Sequence, residues 1–224
     1  MVWTSSNPSV ASVYEGMVSV STSGTTTITA TTLDGCKTAT CEVTVRIPVF
    51  GVHYGHYWVD LGDGHKWASM NIGADSERDF GDYFAWGEIS TKSSYTGSNY
   101  SVTPISFRDA ATNLWGIGWR MPTEADWQWL IDNCDWEWTS IQGQYYGLYT
   151  FGHRVTSRTN GQSIFLPAAG TFDSEHFDIG RYWSSTYDPN NTSNAYQLVS
   201  SSGGKGISSL PRFNGCSIRP VLDE

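Results

Sequence analysis

The chain of 224 residues carries 13 Lys and Arg against 22 Asp and Glu, a formal net charge of −9, with 16% charged and 14% aromatic residues. So acidic a chain lacks the basic face that nucleic acid or an anionic membrane surface requires, and no run approaches the ~20 apolar residues of a membrane span. Eleven Trp, twelve Tyr and 23 Gly point to an aromatic-stapled core with few long helices.

Met1-Val2-Trp3 leads straight into Ser and Asn without the apolar stretch of a secretory signal. That fits either a start inside a longer chain or a route to the outside without Sec export, as for a phage structural protein. Residues 1–47 alternate with the period of a half-buried sheet. Cys41, Val43, Val45 and Ile47 face one way, Glu42, Thr44 and Arg46 the other, and Ile28 and Ala30 alternate with threonines on the preceding strand. Asp34-Gly35 marks a hairpin turn, and Glu15-Gly16 a weaker one. Cys36 and Cys41 fall on one expected strand, about 16 Å apart, beyond disulfide reach. The phrases Trp3 to Ala11, Gly24 to Thr31 and Ala39 to Val45 resemble the bacterial Ig-like domain, group 2, in truncated form. The resemblance implies a spacer or assembly element through which the protein associates with a neighbour.

Residues 48–56, around Pro48 and Gly51, read as a linker, and 57–224 as one α+β domain. Short strands are expected at Val59–Gly62, Lys66–Ala68 and Tyr83–Trp86. A weak helix is expected over 106–115 with Ser106 as cap, and a strong one from Thr123 to Cys134. Pro122 precedes the strong helix, Thr123 caps it, and Trp127, Leu130, Ile131 and Cys134 share one face. Beyond residue 145 the chain returns to short strands and turns, and the interval 187–214 is Asn/Ser/Gly-rich and expected to be strand-poor.

The phrases Val59 to Ala68, Asp82 to Glu88, Trp119 to Trp127, Gly161 to Gly170, Tyr182 to Thr186 and Gly215 to Val221 occur in an order similar to the Fibrobacter succinogenes major paralogous domain, a bacterial surface-associated family related to C-type lectins. The resemblance implies a C-type-lectin-like fold whose N- and C-terminal strands pair and whose long irregular region presents the binding face. Residues 187–196 and 200–205 further resemble, in place and composition, the variable segment of diversity-generating retroelement proteins of gut bacteria and their phages. Those segments are mutated at adenine-rich codons on a fixed scaffold.

The expected binding surface is therefore 187–214 with Arg181 and, at its edge, Glu175 and His176. Tyr187, Tyr196 and Phe213 serve as apolar anchors. Asp188, Asn190, Asn191, Ser193, Asn194, Ser201, Ser202, Lys205, Ser208 and Arg212 serve as polar contacts, a composition suited to adaptable recognition. Trp183 and Arg219 belong to the frame and are expected to pack. Asp188-Pro189-Asn190 resembles the acid-Pro-Asn triplet of calcium-dependent lectins, but no Trp-Asn-Asp phrase follows, and a simple turn is the favoured reading. His53, His56 and His65 complete no metal-ligand spacing. Formylglycine-generating enzymes share the related fold and use paired cysteines, whereas Cys134 and Cys216 here fall on a helix face and a frame strand. The expectation is a non-enzymatic protein without cofactor or metal, outside the cell on a bacterial or virion surface. Its ligand is a cell-surface protein or glycan, and the alternative is a carbohydrate-binding adhesin of fixed specificity.

Overall fold

The computed structural model describes residues 1–22, 24–45, 49–142, 149–172 and 178–223. Two compact units divide at Pro48/Val49, and the whole is mostly β with two short helices.

The first unit holds β1 (Val2–Ser5), β2 (Ala11–Tyr14), β3 (Met17–Val20), β4 (Gly24–Thr31) and β5 (Thr38–Val45). Strands β1, β4 and β5 form one antiparallel sheet, and β2 and β3 a hairpin. Glu15 and Gly16 both have positive φ, 49° and 86°, as a two-residue hairpin turn requires. The core is small: Val10, Ala11 and Val45, with Val43 against them. A buried polar hub supplements it. Thr26 Oγ1 accepts the Asn7 N–H at 2.9 Å and bonds the hydroxyls of Ser5 and Ser6 at 2.9 and 3.1 Å. Cys36 is not on the strand, as its spacing suggested. The Asp34 turn extends past it, with the Cys36 N–H donating to Asp34 Oδ1 at 3.1 Å, and β5 begins at Thr38. Both Cys36 and Cys41 are exposed free thiols.

The second unit contains β6 (Phe50–His53), β7 (His56–Asp60), β8 (Lys66–Ala68), α1 (Ala110–Trp115), β9 (Trp119–Arg120) and α2 (Glu124–Asn133). It continues with β10 (Cys134–Gln142), β11 (Tyr149–Ser157), β12 (Ser163–Pro167), β13 (Ile179–Tyr187), β14 (Asn194–Ser201), β15 (Gly204–Pro211) and β16 (Val221–Leu222). The expected linker at 48–56 is instead a hairpin of β6 and β7. Its close approach explains Gly51, where an added Cβ would lie 2.5 Å from the Trp58 ring. The sheet runs β6-β7-β8-β16-β9, so the last strand pairs with an early one, Val221 opposite Trp67. Tyr83–Trp86 forms no strand, only the bridge of Phe84 with Cys216.

Helix α1 is shorter than expected. Asp109 rather than Ser106 caps it, Oδ1 accepting the Thr112 N–H at 3.0 Å while Oδ2 takes Met121 N–H at 2.8 Å. Ser106 ends a separate 3-10 turn. Helix α2 starts as the capping pattern dictates, with Thr123 Oγ1 accepting from Asp126 N–H and Asp126 Oδ2 accepting from Thr123 N–H at 2.7 Å. Cys134 has left the helix as the first residue of β10 and remains buried.

Two aromatic clusters form the core. One gathers Phe84, Trp86, Trp119, Met121, Trp183 and Ile218; the other gathers Trp67, Trp127, Leu130, Tyr182, Leu198 and Val221. Arg219 is also fully buried. Its guanidinium donates to Asn71 Oδ1 and to the carbonyls of Ala68, Ser69 and Phe165 at 2.8 to 3.2 Å, tying the 68–71 segment and β12 to its own stretch without a carboxylate. Among the described residues, no helix is long and apolar enough to cross a membrane.

Candidate ligand-binding surface

The interval expected to be strand-poor carries two of the three strands of a sheet ordered β13-β14-β15. Tertiary burial overrides the weak strand propensity of Ser, Asn and Gly. Across the sheet, Tyr182, Leu198 and Ile207 stand in one row and pack into the second core cluster. On the opposite face Trp183 and Gln197 are buried while Ser208 beside them is exposed, and the row Arg181, Val199 and Gly206 is partly covered. There the face is a groove of ≈ 500 Å³ bordered by Arg181, Val199, Ser201, Lys205, Gly206 and Ser208. At its floor a Cβ on Gly206 would meet nothing within 4 Å. The Lys205 ammonium lies 5.8 Å from the Trp136 ring centre.

The groove thus brings Arg181, Ser201, Lys205 and Ser208 together. Ser202 sits in the exposed β14–β15 turn. Tyr187 ends β13 at 40% exposure. Asn190, Asn191 and Ser193 form the exposed β13–β14 connection, and the partly covered Asn194 and Tyr196 lie on β14. Asp188 is a correction: it is 8% exposed, and its Oδ1 accepts the N–H groups of Asn190 and Asn191 at 2.9 and 3.3 Å. The carboxylate shapes the turn rather than facing a ligand. Glu175 and His176 lie outside the described residues.

Arg212 is only 9% exposed and lies beneath the turn, at the edge of a cavity rather than on the open face. Its N–H donates to the Ser193 carbonyl at 3.0 Å, and its own carbonyl accepts from the Trp86 N–H at 2.9 Å. The guanidinium carbon lies 5.3 Å from the Trp86 ring centre and 5.8 Å from that of Tyr100. With Phe213, Ser193, Tyr100, Ser101 and Gly97 it lines a second cavity of ≈ 430 Å³. Tyr100, Ser101 and Gly97 come from a segment more than 90 residues upstream. Only the fold joins them to Arg212, and no spacing in the sequence announces it. Trp183 and Arg219 pack in the core as expected of frame residues.

The histidines have structural partners. His53 Nε2 bonds the Ile117 carbonyl at 2.9 Å, and His56 stacks on Trp115 with ring centres 3.8 Å apart. His65 lies 3.6 Å from Asp126 and 3.0 Å from Asp223. No group of three or more His, Cys, Asp or Glu suited to a metal occurs among the described residues. Cys134 and Cys216 belong to different core clusters. Burial pushes the Cys134 thiol up to about 11, with Asp63 adding to the effect, and burial pushes Cys216 higher still.

Residues 1–43 match the family model of the bacterial Ig-like domain (group 2). Domains of this type are typical of bacterial surface proteins, and the match associates the chain with such a surface. Neither a curated protein nor a solved structure matches the chain, and nothing identifies residues 49–224 by similarity.

Proposed function

We propose that the second unit is a non-enzymatic, C-type-lectin-like ligand-binding domain. Its β13–β15 sheet and β13–β14 turn present a recognition surface on a bacterial or virion surface, and that surface is diversified by a retroelement. The observation that carries this reading is the division of labour within one sheet. Tyr182, Leu198 and Ile207 anchor it on the core side, while Arg181, Ser201 and Ser208 border an open groove on the other. A surface of short hydroxyl, amide and aromatic side chains on a packed sheet can change without loss of the core. The Ig-like unit acts as spacer or assembly element. The protonated, buried cysteines favour binding over thiol chemistry.

The direct test compares the whole chain with its Gly206→Phe and Ser208→Lys variants for binding to gut bacterial cells by flow cytometry. Loss of cell binding with unchanged unfolding midpoints is expected. Equal binding by all three proteins overturns the assignment of the groove. A second reading, a saccharide-binding adhesin of fixed specificity, is favoured by one observation, the aromatic-walled cavity at Arg212.

A further inference from the structure

The molecule buries two guanidinium groups and treats them differently. Arg219 has an acceptor for every nitrogen. Arg212, although only 9% exposed, leaves Nε and Nη1 buried without any hydrogen-bond partner. A buried cation without acceptors is costly, and contact of its face with two aromatic rings replaces none of the missing hydrogen bonds. Tyr100 does not act as counter-ion. Burial raises its pKa to about 12 against the opposing influence of Arg212, so it remains a phenol, donating to the Trp86 carbonyl at 2.8 Å. The carboxylate that shares its surroundings, Glu88, is engaged through Oε1 by Lys92 Nζ at 2.6 Å.

A further cavity, of ≈ 400 Å³, adjoins the Arg212 cavity at Ser101 and Val102 and is bordered by Glu88, Lys92 and Arg108. A chain of net charge −9 therefore sets three cations against one carboxylate around this pair of cavities. The Arg212 side also offers two hydroxyls, Ser101 and Ser193, and the rings of Tyr100 and Phe213.

We propose that the Arg212 cavity is a subsite for the carboxylate of an acidic sugar, such as a uronate or sialate unit of a cell-surface glycan. The guanidinium receives the carboxylate as a charge-assisted pair, the hydroxyls bond ring oxygens, and the aromatic walls take the apolar face of the ring. The inference rests on the ligand-binding reading of this domain and adds the chemical class of one subsite.

The experiment uses the full chain with glucuronate and N-acetylneuraminate as probes, glucose as the neutral control and a glutamate-rich peptide as the alternative carboxylate. Binding is followed by calorimetry and saturation-transfer NMR. An acidic sugar is expected to bind at least about tenfold more tightly than glucose, a preference that fades at high salt. Arg212→Gln is expected to remove that preference. Ser101→Trp fills the exposed rim of the cavity and leaves the Arg212 side chain in place, and is expected to weaken the acidic sugar by about tenfold or more. Should Arg212→Gln not fold, Ser101→Trp decides. Equal binding of glucose and glucuronate, no binding of either acidic sugar, or full binding to Ser101→Trp overturns the proposal, as does preference for the peptide. Cell binding measured on the same preparation separates the two ideas, because its retention without acidic-sugar binding removes only the subsite.

Discussion

His153 offers a test of how the second unit is held together beneath Lys205. The imidazole is 4% exposed on β11, between the edges of Trp136 and Trp138 at 5.3 and 5.0 Å, and its Nδ1 has no partner. Burial, with Lys205 as the lesser cause, lowers its pKa from 6.5 to about 4. The folded state then stays neutral where the unfolded chain binds a proton, so stability is full above pH 6.5 and falls as the pH drops toward 4. Linkage over this interval gives a loss of about 2 kcal/mol by pH 5 and about 3 kcal/mol by pH 4. His153→Phe, which cannot titrate, should lack this component. Denaturant unfolding followed by Trp fluorescence reports the right unit, since only Trp3 of the eleven tryptophans lies in the first. The wild-type minus variant difference should change by about 1.6 kcal/mol between pH 6.5 and 5. A difference that stays constant over that range would refute the reasoning, whatever the offset between the two proteins.

Substituting Ser201, Ser202 and Ser208 together should shift stability by no more than about 0.5 kcal/mol per site. Trp183→Ala alone should cost about 3 to 5 kcal/mol, and chemical denaturation distinguishes the two. Arg219→Met leaves the Ala68, Ser69 and Phe165 carbonyls without their donor, and should destabilise by about 3 kcal/mol or more. A thiol reagent should titrate two cysteines rapidly in the native protein, Cys36 and Cys41, and all four after denaturation. Four fast thiols at the outset would contradict the burial of Cys134 and Cys216.

What the sequence discloses is chiefly what is local. The α2 start is written in Thr123 and Asp126, three residues apart, and the Ig-like strands in their alternation and turn residues. Trp183 and Arg219, within apolar and glycine-rich phrases, were legible as packing residues. The strands of 187–214 were not legible, because Asn, Ser and Gly disfavour strands intrinsically. Here Ala195, Leu198 and Ile207 fix the pairing by packing into cores assembled from distant segments. The hairpin at 50–60 was obscured by Pro48 and Gly51, the latter placed for contact with Trp58 rather than for flexibility. The burial of Arg212 was hidden for a related reason. A cation on an aromatic wall carries no sequence pattern when its rings, Trp86 and Tyr100, are over 110 residues away.

The most direct measurement is deep sequencing of the codons for residues 175–214 across natural isolates. Substitutions at adenine positions, concentrated at outward residues such as Tyr187, Asn190, Asn191, Ser201 and Ser208 and sparing Trp183, Leu198 and Ile207, are the expected result. A constant segment would contradict diversification, and variation falling equally on Trp183 and Leu198 would contradict the division between scaffold and recognition surface.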